Sequence, residues 1–163
     1  MIQVLSVVSR SDEEFSEMTV TLEVEGHEPQ ASPSSLAVES WLRKLRSVGK
    51  YSYATLSKEN GEYIQVAGGR VTCVLEHRTA QGVQSRAFLS SPRTAMRGGL
   101  TMSFAKGNIV AFTPEECLFI DDVVLAFHSF INDEPFPGHI YWRTLDENYG
   151  CCLLYTSPSP RDS

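Results

Sequence analysis

The residues of this 163-residue chain best suited to chemistry are four histidines, His27, His77, His128 and His139, and four cysteines, Cys73, Cys117, Cys151 and Cys152. Nucleophilic catalysis needs a nucleophile beside a base that is itself oriented. No GxSxG motif occurs, and nothing around Cys73 or Cys117 spells a catalytic signature. Both read as buried small hydrophobes. A metal centre needs three or four clustered ligands. Cys73 and His77, four apart, share one face of a strand, but no third ligand joins them. His128 follows Phe127 and reads as cover for a core edge; His139 sits in a Pro-Gly loop. Gly68-Gly69 and Gly98-Gly99 lack the GxxxxGK(S/T) spelling of a phosphate loop and read as a bulge or turn. Asp121-Asp122 could do acid–base work, but at a helix start they serve better as caps and as complements to the helix dipole. The expectation is no catalytic residue, no metal site and no cofactor. A pocket lined by His77, Cys73 and Glu76 would instead mark an enzyme.

The elements that position these residues follow from periodicity. Ile2 to Val8 is a first strand candidate. Met18 to Glu25 alternates, with Met18, Val20, Leu22 and Val24 on one face. Pro29 and Pro33 make residues 27–35 a loop. Ser34 or Ser35 caps a helix from about Leu36 to Ser47, whose apolar stripe is Val38, Trp41, Leu42 and Leu45 and which Gly49 ends. Tyr51–Lys58 and Glu62–Ala67 form a hairpin about Asn60-Gly61, with Gly68-Gly69 breaking the run. Strands follow at Arg70–Arg78, Gln84–Leu89, Leu100–Ala105 and Asn108–Phe112. Thr113-Pro114-Glu115-Glu116 spells a capping box, yet Cys117 to Ile120 also reads as a strand; the two stay open. A second helix runs from Asp121 to about Ile131, and Ile140–Arg143 is a last extended segment. The predicted fold is α+β: a mainly antiparallel hairpin meander of five to seven strands with two principal helices on one face.

Length fits one domain, residues 1–150. Residues 152–163 resemble a translated reading frame of a transposon-type sequencing adaptor. Residues 151–163 are therefore expected to be a non-native, disordered tail on a domain truncated near Gly150. The net charge is -6, and bases are too few for a general nucleic-acid binder. No run approaches the ~18 apolar residues of a membrane span. The N-terminus shows no signal-peptide pattern, so a cytoplasmic location is expected. Charge is segregated. Residues 1–35 carry seven acids and one base, residues 67–106 six bases and one acid, and residues 107–149 eight acids and one base. Either the blocks meet in space and neutralise each other or merely solvate the surface, or they form a negative face that steers a basic partner.

Two stretches carry a family likeness. One is Asn60-Gly61-Glu62-Tyr63-Ile64-Gln65-Val66-Ala67-Gly68-Gly69, followed by Val74-Leu75-Glu76-His77-Arg78. The other is Phe119-Ile120-Asp121-Asp122-Val123 through Phe127 and Phe130, then Pro135, Pro137 and Tyr141-Trp142-Arg143. In order and spacing they resemble the first-numbered immunity-protein family of bacterial polymorphic toxin systems, which includes immunity proteins against secreted deaminase toxins. The resemblance spans about Tyr51 to Asp146. It implies a cytoplasmic, non-catalytic antitoxin that binds a cognate toxin protein and blocks its active site. Charge and hydropathy, for their part, lead to the expectation of no direct nucleic-acid or membrane partner. The candidate contact surface, read from charge segregation, is Asp121, Asp122, Asp133, Glu134, Asp146 and Glu147. Tyr141 and Trp142 are either core residues or apolar anchors. An adaptor or effector-loading chaperone is the alternative, and a small enzyme a more distant one.

Overall fold

The computed structural model describes residues 18–93, 100–105 and 107–145. The strand expected at Ile2–Val8, the acids Asp146 and Glu147 and the adaptor-like tail fall outside them. In chain order the elements are β1 (Val20–Val24), β2 (Gln30–Ala31), α1 (Ser35–Lys44), β3 (Tyr53–Lys58), β4 (Tyr63–Gly69), β5 (Thr72–Arg78), β6 (Gln84–Phe88), β7 (Leu100–Phe104), β8 (Asn108–Phe112), a 3-10 turn (Pro114–Glu116), α2 (Ile120–Ile131) and β9 (Tyr141–Thr144). The fold is α+β, as the periodicity predicts. Seven strands form one antiparallel sheet in the order β2-β1-β3-β4-β5-β6-β9, and β7-β8 form a second.

The meander is therefore interrupted. β7 and β8 leave the main sheet as a flap, and β9 pairs with β6 in their place. The reason is visible in β4, where every residue is buried. Successive side chains of a strand point to opposite faces, so the sheet needs two covers. On one face Leu56, Ile64, Val66, Cys73 and Leu75 pack in one cluster with Val38 and Leu42 of α1 and with Val123, Phe127 and Phe130 of α2. On the other, Ala67 and Val74 pack with Met102, Phe104, Val110, Phe112 and Cys117. The hairpin alternates these buried residues with exposed Thr101, Ser103, Ile109 and Ala111, so it has one apolar face to give.

Local chemistry sets the element ends. The Ser34 hydroxyl accepts from the Ala37 N–H at 3.1 Å and caps α1. The helix stops at Lys44, not Ser47. Leu45 turns extended and drops wholly into the core, leaving Gly49 (φ 89°) to the following turn. Gly69 permits that crossing, because a Cβ there would lie 2.1 Å from the Leu45 carbonyl oxygen. Gly68-Gly69 consequently does not break β4; the strand runs through both glycines and turns at Arg70-Val71. The open question at residues 113–120 resolves into both readings in series. A short 3-10 turn comes first, then one antiparallel bridge, Cys73 to Leu118, before α2 begins.

Candidate functional site

The described acidic residues singled out from the sequence sit at the two ends of α2. Asp121 and Asp122 start α2, whereas Asp133 and Glu134 follow its end, about 18 Å away along a 12-residue helix. Asp121 is exposed but accepts from Arg43 at 2.9 Å. Asp133 is exposed and accepts from Lys58 at 2.6 Å. Glu134 is exposed, with its N–H bonded to the Ser129 carbonyl. Asp146 and Glu147 lie outside the described residues.

Asp122 is a correction to the surface reading, since only 4% of it is exposed. Its Oδ2 accepts the Phe119 N–H at 3.0 Å, capping α2 as the sequence suggests. The same carboxylate takes two hydrogen bonds from Arg93 and one from His139 Nε2 at 2.8 Å. Burial alone would raise its pKa, but Arg93, His139 and the Phe119 amide together outweigh burial and hold it below the ordinary value. Asp122 is thus an anchor joining α2, the segment after β6 and the loop before β9.

The charge blocks meet as the first of the two readings has it. Arg93 of the basic block binds Asp122 of the acidic block, and Arg86 lies 3.8 Å from Glu116. Arg86 also donates to Glu76 Oε1 through Nε at 3.0 Å and Nη2 at 2.7 Å, and to the Ala111 carbonyl of the flap at 2.8 Å. Arg143 of β9 approaches Glu116 to 3.6 Å.

The enzyme-like trio also disperses. Cys73 and His77 share the helix-covered face, while Glu76 points to the flap side with Arg86. His77 lies among the rings of Phe130, Phe136 and Trp142, with Nε2 3.1 Å from Glu62. Burial pushes the Cys73 thiol far up and raises that of Cys117, against weaker hydrogen bonds from Cys73 and Thr72 that lower the latter. A protonated thiol is a poor nucleophile. Among the described residues no three His, Cys, Asp or Glu side chains are placed to hold a metal ion. No described helix is long and apolar enough to cross a membrane.

What the aromatic pair Tyr141-Trp142 does depends on the pleat. Trp142 turns to the helix side and packs on Phe136 (centroids 4.8 Å apart) and His77. Tyr141 turns the other way, is 48% exposed, and lies against Phe88 at 5.6 Å. Arg143, on the same face as Tyr141, sits over the Phe88 ring at 4.8 Å. Of the two readings, Trp142 is the core residue, and Tyr141 is left exposed at the sheet's edge strand. β9 ends the seven-strand sheet, so its outer edge has no ladder partner among the described residues. Sequence reasoning missed Phe88 and Arg143; the alternation of Tyr141 and Arg143 along a short terminal strand was the available signal.

A second edge without a ladder partner among the described residues belongs to the flap. Thr101–Ala105 line one side of a groove of about 470 Å3, and Glu25, Ser47, Val48, Gly49 and Ser52 line the other. The Ala105 N–H points off β7 to the Ser52 hydroxyl at 2.9 Å, and that hydroxyl donates to Glu25 Oε1 at 3.0 Å. Ser52 N–H donates to the same oxygen at 2.9 Å. No pattern in the sequence joins Glu25 to a strand some eighty residues later; a tertiary contact makes this groove. Comparison of the chain with protein-family models, with curated proteins and with solved structures finds no match.

Proposed function

We propose that this chain is a binding protein of the immunity type, which neutralises a toxin protein in the cytoplasm by occluding it. The observation that carries the reading is the β9 edge, which has no ladder partner among the described residues and where exposed Tyr141 rests on Phe88 with Arg143 over the same ring. Unguarded strand edges are normally blunted, because they template pairing with another chain. Tyr and Arg dominate binding energy where they are held in place by neighbours. The resemblance of Tyr51 to Asp146 to an immunity family supplies the class of partner. Exposed Asp133, Glu134 and Asp121 flank the body of the protein as steering charges, weakened by the internal pairs of Asp121 and Asp133. Asp122 and Trp142, being anchor and core, are not contacts in this reading.

The test is titration of a toxin domain encoded beside this gene. Inhibition should be complete at one equivalent of the chain and not before, and co-expression should restore growth. Persisting toxicity with folded chain in excess would defeat the reading. Binding without inhibition would point to an adaptor or loading chaperone, and protection at catalytic amounts to an enzyme.

A further inference from the structure

We propose that the groove between β7 and the α1–β3 connection binds an extended segment of a protein partner by strand addition, with a lysine or arginine of that segment against Glu25. This rests on, and deepens, the reading of the chain as a binding protein. In an antiparallel strand the N–H and C=O of one residue face the same edge, and alternate residues share an edge. The Ala105 N–H faces outward, to Ser52. The Phe104 carbonyl therefore faces β8, and the N–H and C=O of Ser103 and Thr101 face the groove. β7 has β8 as its sole ladder partner among the described residues. Thr101 and Ser103 are exposed while Met102 and Phe104 are buried, so the exposed side chains of β7 beside an incoming strand are small and carry hydroxyls.

The far wall selects the occupant. Glu25 offers a carboxylate whose Oε1 is held by two hydrogen bonds from Ser52, and no basic side chain of the described residues lines the groove. The local field is negative: Tyr53 has its pKa raised by burial first and then by Glu25 and Glu23. Val48, 83% exposed, provides an apolar rim. Main-chain hydrogen bonds give such a site its affinity, and side-chain pockets give it its specificity.

The test uses blocked synthetic peptides, Thr-Val-Arg-Val-Thr, its Glu counterpart at the centre, and a backbone N-methylated Arg version. Binding is followed by amide chemical shifts of the full chain. The Arg peptide should shift the Thr101, Ser103 and Ala105 amides. The Glu and N-methylated peptides should bind at least about fivefold more weakly, the loss of one hydrogen bond or charge contact. Ser103→Pro removes one outward donor without touching the β7–β8 ladder and should cost a similar factor. Glu25→Gln, which keeps the Ser52 acceptor, should abolish the preference for Arg over Glu. Equal binding of the Arg and Glu peptides, indifference to N-methylation, or no shifts along β7 would each overturn the proposal. Failure of the peptides with intact toxin inhibition discards the groove and leaves the inhibitor; groove binding without inhibition does the reverse.

Discussion

On the helix-covered face of the sheet, Leu56, Ile64, Val66 and Leu75 meet Leu42 and Phe127 in an apolar layer. On the flap-covered face of the same strands, a row of polar residues runs directly across from strand to strand: Thr55, Gln65, Glu76, Arg86 and Arg143. The first face holds its helices by burial, which is non-directional and tolerant of shape. The second holds its flap partly by directed bonds, from Arg86 to the Ala111 carbonyl and from the Ala105 N–H to the Ser52 hydroxyl. Directed bonds set position, so the flap comes to rest with one strand edge facing the Glu25 groove. One face is thus held by shape-tolerant burial and the other by directed bonds as well, a contrast that can be attacked from either side.

The largest losses are expected from single cuts through each layer. Phe127, wholly buried, should cost about 3–5 kcal/mol as Phe127→Ala. Arg86→Met removes the guanidinium from the fully buried Glu76 and should cost about 3–5 kcal/mol as well. The two should part on rescue. Adding Glu76→Leu to Arg86→Met should recover much of the loss, since well-packed apolar pairs often replace buried ion pairs at no cost. No second-site charge change should help Phe127→Ala. Urea midpoints of the four chains decide this; absence of rescue would mean the polar row is not the ion-pair device described.

Gly69→Ala comes next. Its Cβ would collide with backbone at Leu45, which cannot swing aside like a side chain. A loss of about 1–3 kcal/mol in urea unfolding is expected. A neutral result would show that the α1–β3 crossing, and with it the groove wall, is looser than drawn.

Acid sensitivity probes Asp122. Its folded pKa lies below the ordinary 3.8, so its contribution to stability is complete above that value. It is lost as pH falls from there through the depressed folded value. Asp122→Asn should lower stability at neutral pH and flatten the acid limb of the stability curve. An unchanged acid limb would remove Asp122 from the role of anchor. The smallest stability effect belongs to Tyr141→Ala, within about 0.5 kcal/mol for a half-exposed edge residue. Its effect on toxin binding should be about 2 kcal/mol or more. Equal and small effects on both would strip β9 of its role.

Much of this was legible along the chain. The alternation of Leu22 and Val24, the Ser34 cap, the Asn60-Gly61 hairpin and the α2 stripe all depend on neighbours within a few residues, and those forces act wherever the chain goes. Gly68-Gly69 misled because glycine pairs are read as breaks, whereas here Gly69 serves a close backbone approach from α1. Asp122 misled because exposure is not written in residue type; its partners Arg93 and His139 lie 29 and 17 positions away. The charge blocks left two readings open for the same reason, since a charge block says nothing about which opposite block will meet it.

By itself, then, the order of residues determined the α+β class, the alternation of strands, the capping of both helices and the burial of Cys73 and Cys117. Those outcomes follow from local periodicity and from the cost of wetting apolar surface. Only the tertiary structure decided that β7 and β8 leave the sheet to cover its second face, that Asp122 is an anchor, and that Glu25 stands across a groove from β7. Those outcomes depend on meetings between distant segments, whose geometry is set by the packing of whole layers and not by any local pattern.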